Sequence, residues 1–321
     1  MKRFLLVTSI SLMAVFYSSS ALAQADISMT THWNNRANYN PASIAKTEYI
    51  YLFSNVRHQW TGISGSPTVI NVQASEYIHD LRSAFGISII NDNIGLTNVL
   101  NPTITYAYRM SPNEDLDSWS ISLGLSAGLF ARTINGSKYD PTDTTDPTLV
   151  YSDLTTYKPD ANFGIEVQTK NFIVGLSTTH LFAISKNSDL FQNTNHRYLY
   201  AIYKNTSSDY FNFSLGSEIV NRNNLTVVEA NSMIRFKHPT GLSDGPRELF
   251  DFGLSYRTTK QLSLLLGVNI TSNFRVGYSY DYDFKLNTNQ SGTHEFMLEY
   301  RIPNKASSIC GSCDYQRDWY F

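Results

Sequence analysis

Apolar and polar residues alternate with a period of two along most of the chain. From Gln261 onward, Leu262, Leu264, Leu266, Val268 and Ile270 are apolar, while Gln261, Ser263, Gly267 and Asn269 are small or polar. Phe274, Val276, Tyr278, Tyr280 and Tyr282 repeat the pattern against Arg275, Gly277, Ser279, Asp281 and Asp283. Trp119, Ile121, Leu123, Leu125, Ala127 and Leu129 alternate with Ser120, Ser122, Gly124, Ser126 and Gly128, and Phe250, Phe252, Leu254 and Tyr256 with Asp251, Gly253, Ser255 and Arg257. Successive side chains of a strand point to opposite faces, so each run reads as a strand with one apolar face. No comparable 3.6-residue pattern follows the first two dozen residues.

About fourteen such segments can be marked, near 47–57, 67–77, 83–91, 99–110, 118–130, 160–169, 171–182, 196–204, 209–219, 225–236, 249–257, 260–270, 273–283 and 293–302. Their length, about ten residues, is that of a tilted strand crossing a bilayer. A soluble sandwich would bury one face and expose charge on the other. Here the polar face is rich in Gly, Ser, Thr and Asn and the apolar face in Tyr and Phe, as lipid contact with aromatic girdles requires. The expected fold is therefore all-β: a transmembrane antiparallel up-and-down β-barrel of about fourteen strands. The gaps after the fifth segment (Arg132 to Pro159), the seventh and the thirteenth are long. Those after the sixth, eighth and twelfth, at Lys170-Asn171, Asn205 to Ser208 and Thr271 to Asn273, are tight, which fits long outer loops and short periplasmic turns. Lys237 to Glu248, after the tenth segment, is a lengthy exception.

The ends of the chain read differently. Lys2 and Arg3 precede an apolar run from Phe4 to about Phe16, and Ala21-Leu22-Ala23 is a small-x-small cleavage pattern, so residues 1–23 are expected to be an export signal cut near Ala23-Gln24. An uncleaved anchor is the alternative. Residues 24–46, with His32, Trp33, Arg36 and Tyr39 around Asn40-Pro41-Ala42, fit neither helix nor strand; they read as a plug folded into the lumen or a piece on the periplasmic rim. The barrel is expected over 47–302 and a periplasmic tail over 303–321. Composition agrees with this picture: only 16% of the 321 residues are charged, against about 25% usual for soluble domains. A net charge of -2 excludes a concentrated basic surface for nucleic acid.

Candidate chemistry is sparse. Arg57 and Trp60 lie at the end of the first strand, where anchoring at a membrane interface competes with a binding role. Asp92, in Asn91-Asp92-Asn93-Ile94-Gly95, reads first as a turn former, and its spacing falls short of a calcium loop. Arg257, Arg275, Asp281, Glu295, Glu299 and Arg301 share the inward parity of the last four strands, where they form either a cross-strand charge ladder filling the lumen or a gated polar conduit. The seven histidines are scattered, neither a Gly-x-Ser-x-Gly elbow nor a His-Glu-x-x-His pair occurs, and adjacent His294 and Glu295 point to opposite faces. No enzyme activity, cofactor or metal is expected. Cys310 and Cys313 in the tail form a C-x-x-C that suits a local disulfide first, and a half metal site or redox pair second.

The ordered set Asn40-Pro41-Ala42, Arg57-His58-Gln59-Trp60, Ser66-Pro67-Thr68, Asn91 to Gly95, Tyr106-Ala107-Tyr108, Pro159-Asp160, Phe163-Gly164, His180-Leu181, Ser255-Tyr256-Arg257, Tyr278 to Asp281 and Gly292 to Glu295 resembles the PorP/SprF family. The resemblance runs to about Ile302 and does not include the tail. It implies an outer-membrane protein of Bacteroidetes, tied to type IX secretion and gliding motility, that helps export or hold a large surface protein such as an adhesin. The implied partners are outer-membrane lipid, such a client and periplasmic components of the secretion system. A FadL-like channel for hydrophobic solutes and a purely structural scaffold are the competing readings.

Overall fold

The computed structural model describes residues 29–45, 49–112, 119–138, 152–184, 194–222, 225–238, 248–285 and 291–303. The strands are β1 (Tyr49–His58), β2 (Thr68–Ile78), β3 (Ser83–Ile94), β4 (Thr97–Met110), β5 (Ser120–Ile134), β6 (Leu154–Gln168), β7 (Phe172–Thr179), β8 (His196–Asn205), β9 (Phe211–Arg222), β10 (Leu225–Lys237), β11 (Glu248–Arg257), β12 (Gln261–Asn269), β13 (Phe274–Asp283) and β14 (Thr293–Pro303). Each pairs antiparallel with its neighbours in sequence. β14 returns to β1 in a register running from Tyr49 opposite Pro303 to His58 opposite His294, which closes the barrel. Closure leaves no strand edge whose backbone groups would face lipid unpaired.

The two barrel ends are distinguished by the chain: β1 starts and β14 ends at the terminal rim, and the opposite one is the distal rim. The long connectors 135–153 and 180–195 lie at the distal rim, and the tight 169–171 and 270–273 at the terminal rim. The lengthy connector after β10 is also terminal.

Alternation sorts the side chains as the pattern requires. Ile87, Ile104, Leu125 and Leu176 point outward and are exposed on the chain itself, while Ser122, Asn71, Asn231 and Ser263 on the other parity are buried in the lumen. Exposed Tyr108, Trp119, Phe172 and Tyr210 mark the terminal rim and Tyr157, Tyr256, Tyr282 and Phe284 the distal one. An apolar band between two aromatic girdles matches a bilayer with its two interfaces.

Two boundaries differ from those the sequence predicts. Asn91, Asp92 and Asn93 are not a turn: they continue β3 and pair with Leu100, Val99 and Asn98. Asp92 is buried, and the chain reverses at Gly95-Leu96, with Gly95 at φ 56°, the left-handed first central position that a two-residue hairpin reserves for glycine. Asn91 and Asn98 exchange side-chain hydrogen bonds at 3.3 and 3.2 Å, so the turn-forming residues serve cross-strand pairing instead. The gap expected from Arg132 to Pro159 is also shorter. Pairing of β5 with β6 continues through Arg132 opposite Thr156 to Ile134 opposite Leu154. Pro159, which lacks a backbone donor and so breaks the alternation signal, sits within β6 opposite Leu129.

Residues 29–45 fill the lumen. They form three 3-10 turns, Thr31–Trp33, Arg36–Asn38 and Pro41–Ile44. Asn35 and Asn40 precede the second and third, and each side chain accepts the backbone N–H two residues on, from Ala37 at 3.1 Å and Ala42 at 3.0 Å. Pro41 at the first turn position has no N–H to satisfy. Trp33 and Tyr39 pack with Ile173, Tyr198, Tyr200 and Val220, and Ile44 and Ala45 with Tyr77, Ala84 and Ala107. The segment thus descends from the distal level, where Thr30 meets the ends of β13 and β14, to the terminal rim where β1 begins. Gly124 and Gly164 make room for it, since a Cβ on either would overlap the Ala42 backbone or the Asn40 amide.

Candidate functional site in the lumen

The inward charges of the barrel are arranged as directly opposed pairs. Arg57 faces Glu295 across the β1–β14 seam, Arg275 faces Glu299 between β13 and β14, and Glu229 faces Arg257 between β10 and β11. The contacts are 3.0, 2.7 and 2.5 Å, all deeply buried. Opposite charges at directly facing positions stabilise a sheet, and in a water-poor lumen each partner is what makes the other tolerable.

The expected residues fall into two groups, Arg301 lying within electrostatic reach of Glu299 in the second, with two outliers. Arg57, Asp281, Glu295 and Arg257 converge on the N-terminal segment. Arg57 lies 2.7 Å from Asp281, Thr30 donates its backbone N–H to Glu295 at 2.8 Å and its hydroxyl to Asp281 at 2.9 Å, and Arg257 donates to the Met29 carbonyl at 3.1 Å. Asn55 adds a donor to Glu295 at 2.7 Å. Arg275 and Glu299 form a second group nearer the terminal rim, where Nη2 of the same guanidinium lies 2.6 and 2.7 Å from the two Asp251 oxygens, its Nε donates to Asp251 at 3.1 Å, and the Tyr51 hydroxyl donates to Glu299 at 2.8 Å. Arg301 is buried beside the Tyr49 ring, 5.9 Å from its centroid. Trp60 stands apart in the loop after β1, with φ 52° and its N–H donated to the Thr293 hydroxyl at 3.2 Å. Asp92 is on another part of the wall, within electrostatic reach of Arg132. Cys310 and Cys313 lie outside the described residues.

Other lumen residues belong to the same network, on β10 upstream of the last four strands and on β11 within them. Glu229, Arg235 and Asp251 sit on the inward parity of β10 and β11, so alternation alone would have found them. Glu248 breaks that parity. A β-bulge at Leu249, where Phe236 faces Phe250 but Lys237 faces Glu248, turns it inward to Arg235 at 3.3 Å. Arg36 meets Glu166 at 3.1 Å, and Glu166 also accepts the Tyr200 hydroxyl. Asn40 donates to the Tyr200 oxygen at 2.8 Å.

Above the segment, toward the distal rim, remains a cavity of about 340 Å³. Met29, His32 and Tyr39 line it from below, and Asp92, His180 and Arg257 from the wall. His180 is itself held by Asp160 at 3.0 Å. The Arg36–Glu166 ion pair and the hydrogen bonds of Thr30 and Asn40 thus hold the N-terminal segment beneath a polar-aromatic cavity.

Among solved structures, the chain is similar to a Pseudomonas aeruginosa FadL homologue (11% identity over 82% of this chain and 92% of that one, TM-score 0.46). It is also similar to the CymD monoaromatic hydrocarbon channel (11%, 87% and 93%, TM-score 0.49) and to the Acinetobacter baumannii outer membrane protein Omp33 (9%, 80% and 100%, TM-score 0.45). These likenesses are too distant to bear on what this barrel carries. No protein with a curated description matches the chain. The family model of the type IX secretion system membrane protein PorP/SprF, by contrast, matches residues 21–300. That span takes in both the lumen segment and nearly all of the closed fourteen-strand wall around it, and the chain belongs to the type IX secretion system membrane protein PorP/SprF family.

Proposed function

We propose that this outer-membrane barrel is an accessory of type IX secretion that holds, or helps export, one large client protein such as an adhesin. One observation carries the reading. The lumen is occupied by the chain's own residues 29–45, tied to the wall by the buried Arg36–Glu166 ion pair and by hydrogen bonds from Thr30 to Glu295 and Asp281, so the barrel is built to present surfaces at its ends rather than to pass solutes. With both termini periplasmic, the distal vestibule and the long connectors 135–153 and 180–195 face outward and receive the client. The terminal rim, with the long connector after β10 and the tail beyond Pro303, then faces the periplasmic secretion components. Residues 1–23 act as the cleaved export signal and 24–46 as the lumen plug, and Cys310 and Cys313 pair in the tail.

Deletion of the reading frame followed by surface proteomics tests this. Loss of one large surface protein with intact nutrient uptake is the expected result. Unchanged surface proteins together with lost uptake of a hydrophobic solute would overturn it in favour of a transport barrel.

A further inference from the structure

Glu218 on β9 and Glu229 on β10 face each other directly across their strand pair, and His32 of the lumen segment stands over them. All three side chains are buried. Like charges at directly opposed positions destabilise a sheet, so two buried carboxylates here call for a compensating cation. Arg257 takes one oxygen of Glu229 at 2.5 Å, and Arg222 is the other cation near Glu218.

The hydrogen bonds fix what each group presents to the other two. The His32 Nδ1 faces the Met29 carbonyl, which can only accept, so Nδ1 carries the proton and Nε2 offers its lone pair. Nε2 has no hydrogen-bond partner, and neither has the Glu218 Oε2 that it faces at 3.5 Å. This gap exceeds the roughly 2.7–2.9 Å of a charge-assisted hydrogen bond. It is close to the separation, about 3.3–3.6 Å, of two ligand atoms bound tetrahedrally at bond lengths near 2.0–2.2 Å. Glu229 is held in orientation by donors on both oxygens, Trp33 Nε1 at 2.6 Å and the Ser255 hydroxyl on Oε1 and Arg257 on Oε2, so Oε2 is the oxygen that keeps a second lone pair. The three candidate ligand atoms lie within 4.8 Å of one another. All three residues also line the distal cavity, which supplies an entry path and an open fourth position.

We propose that His32, Glu218 and Glu229 bind a divalent transition-metal ion of the zinc type. One imidazole and two carboxylates suit such an ion, and three protein ligands with an open position is a recurrent zinc arrangement. The ion fastens the lumen segment to β9 and β10 and leaves one coordination position toward the vestibule, where a carboxylate or imidazole of an incoming chain can bind.

The test uses the full mature chain, without a histidine tag, in detergent after exhaustive chelation, titrated with zinc chloride against a chromophoric chelator. One equivalent is expected to bind, and cobalt substitution to give the visible absorption of a tetrahedral site. His32→Gln and Glu218→Gln are expected to weaken zinc at least about a hundredfold, more than loss of a supporting outer-shell contact would. Heat-modifiable gel mobility checks that both remain barrels, and Asp92→Asn, elsewhere on the cavity wall, is expected to bind as the parent does. If a variant does not fold, the parent still decides: zinc must raise its unfolding temperature and protect residues 29–45 from proteolysis. A parent that takes up no zinc, or variants that take up as much as the parent, would overturn the proposal and leave a His32–Glu218 ion pair.

Discussion

Glu295, on the last strand, is gripped from two directions: Arg57 on the first strand lies 3.0 Å away, and Thr30 of the lumen segment donates its backbone N–H to the same oxygen at 2.8 Å. The residue that closes the barrel therefore also seats the segment inside it.

Breaking that contact should be costly in a way that depends on which partner remains. Glu295→Gln leaves Arg57 with Asp281 as its carboxylate, and the expected loss is about 3 kcal/mol, the lower end for breaking a buried pair. The Arg57→Met, Glu295→Gln double variant should lose less than the two singles added together, because each single already breaks the Arg57–Glu295 pair, while Asp281 loses Arg57 in the Arg57→Met single and in the double alike. Reversible urea unfolding in micelles measures this. Singles within about 0.5 kcal/mol of the parent would refute the coupling.

Filling the space at Gly164 separates the wall from its contents. Gly164→Val suits a strand, but its side chain collides with the Asn40 amide. The barrel is expected to keep its heat-modifiable mobility while residues 29–45 become sensitive to added protease. Unaltered protection of the segment would show that it does not lie against β6.

Removing the segment should open the lumen. A chain lacking residues 29–45 is expected to conduct ions in planar bilayers, since the inward face is lined by buried polar and charged groups, whereas the parent stays closed. The two conducting alike would contradict the lock.

The lipid-facing wall makes a depth-dependent prediction. Ile104, 66% exposed at the middle of β4, should cost about 2–4 kcal/mol when changed to Arg. Leu154, exposed at the distal start of β6, should cost about 0–1 kcal/mol. Equal costs in lipid-vesicle folding titrations would place the membrane elsewhere on the wall.

The wall was legible because a strand writes its faces into every second residue. Alternation located all fourteen strands, and the parity of Arg257, Arg275 and Glu299 placed them inward, where they lie. It faltered where local chemistry and pairing disagree. Asn91 to Asn93 carry turn propensity, but their partners across β4 hold them in the sheet, and Pro159 interrupts a signal that the pairing ignores. The lumen contents were harder to read. Thr30 and Glu295 are 265 residues apart, and His32, Glu218 and Glu229 come from three elements with no spacing in common, so only closure brings them together. The run Ser120, Ser122, Gly124, Ser126 was visible as a small-residue face, yet that its smallness at Gly124 clears a seat for Ala42 depends on what lies opposite.

The thread of residues 29–45 through its own barrel also sets an order of assembly. β14 is the last strand to leave the ribosome, and it supplies both the seam for β1 and the carboxylate for Thr30. Contacts this remote in sequence form late, after loop entropy has been overcome. A closed wall leaves no lateral entrance, and Glu295 on β14 is shared by the seam with β1 and the seat of the segment. Zipping and locking thus become one event, and a chain truncated before β14 can complete neither.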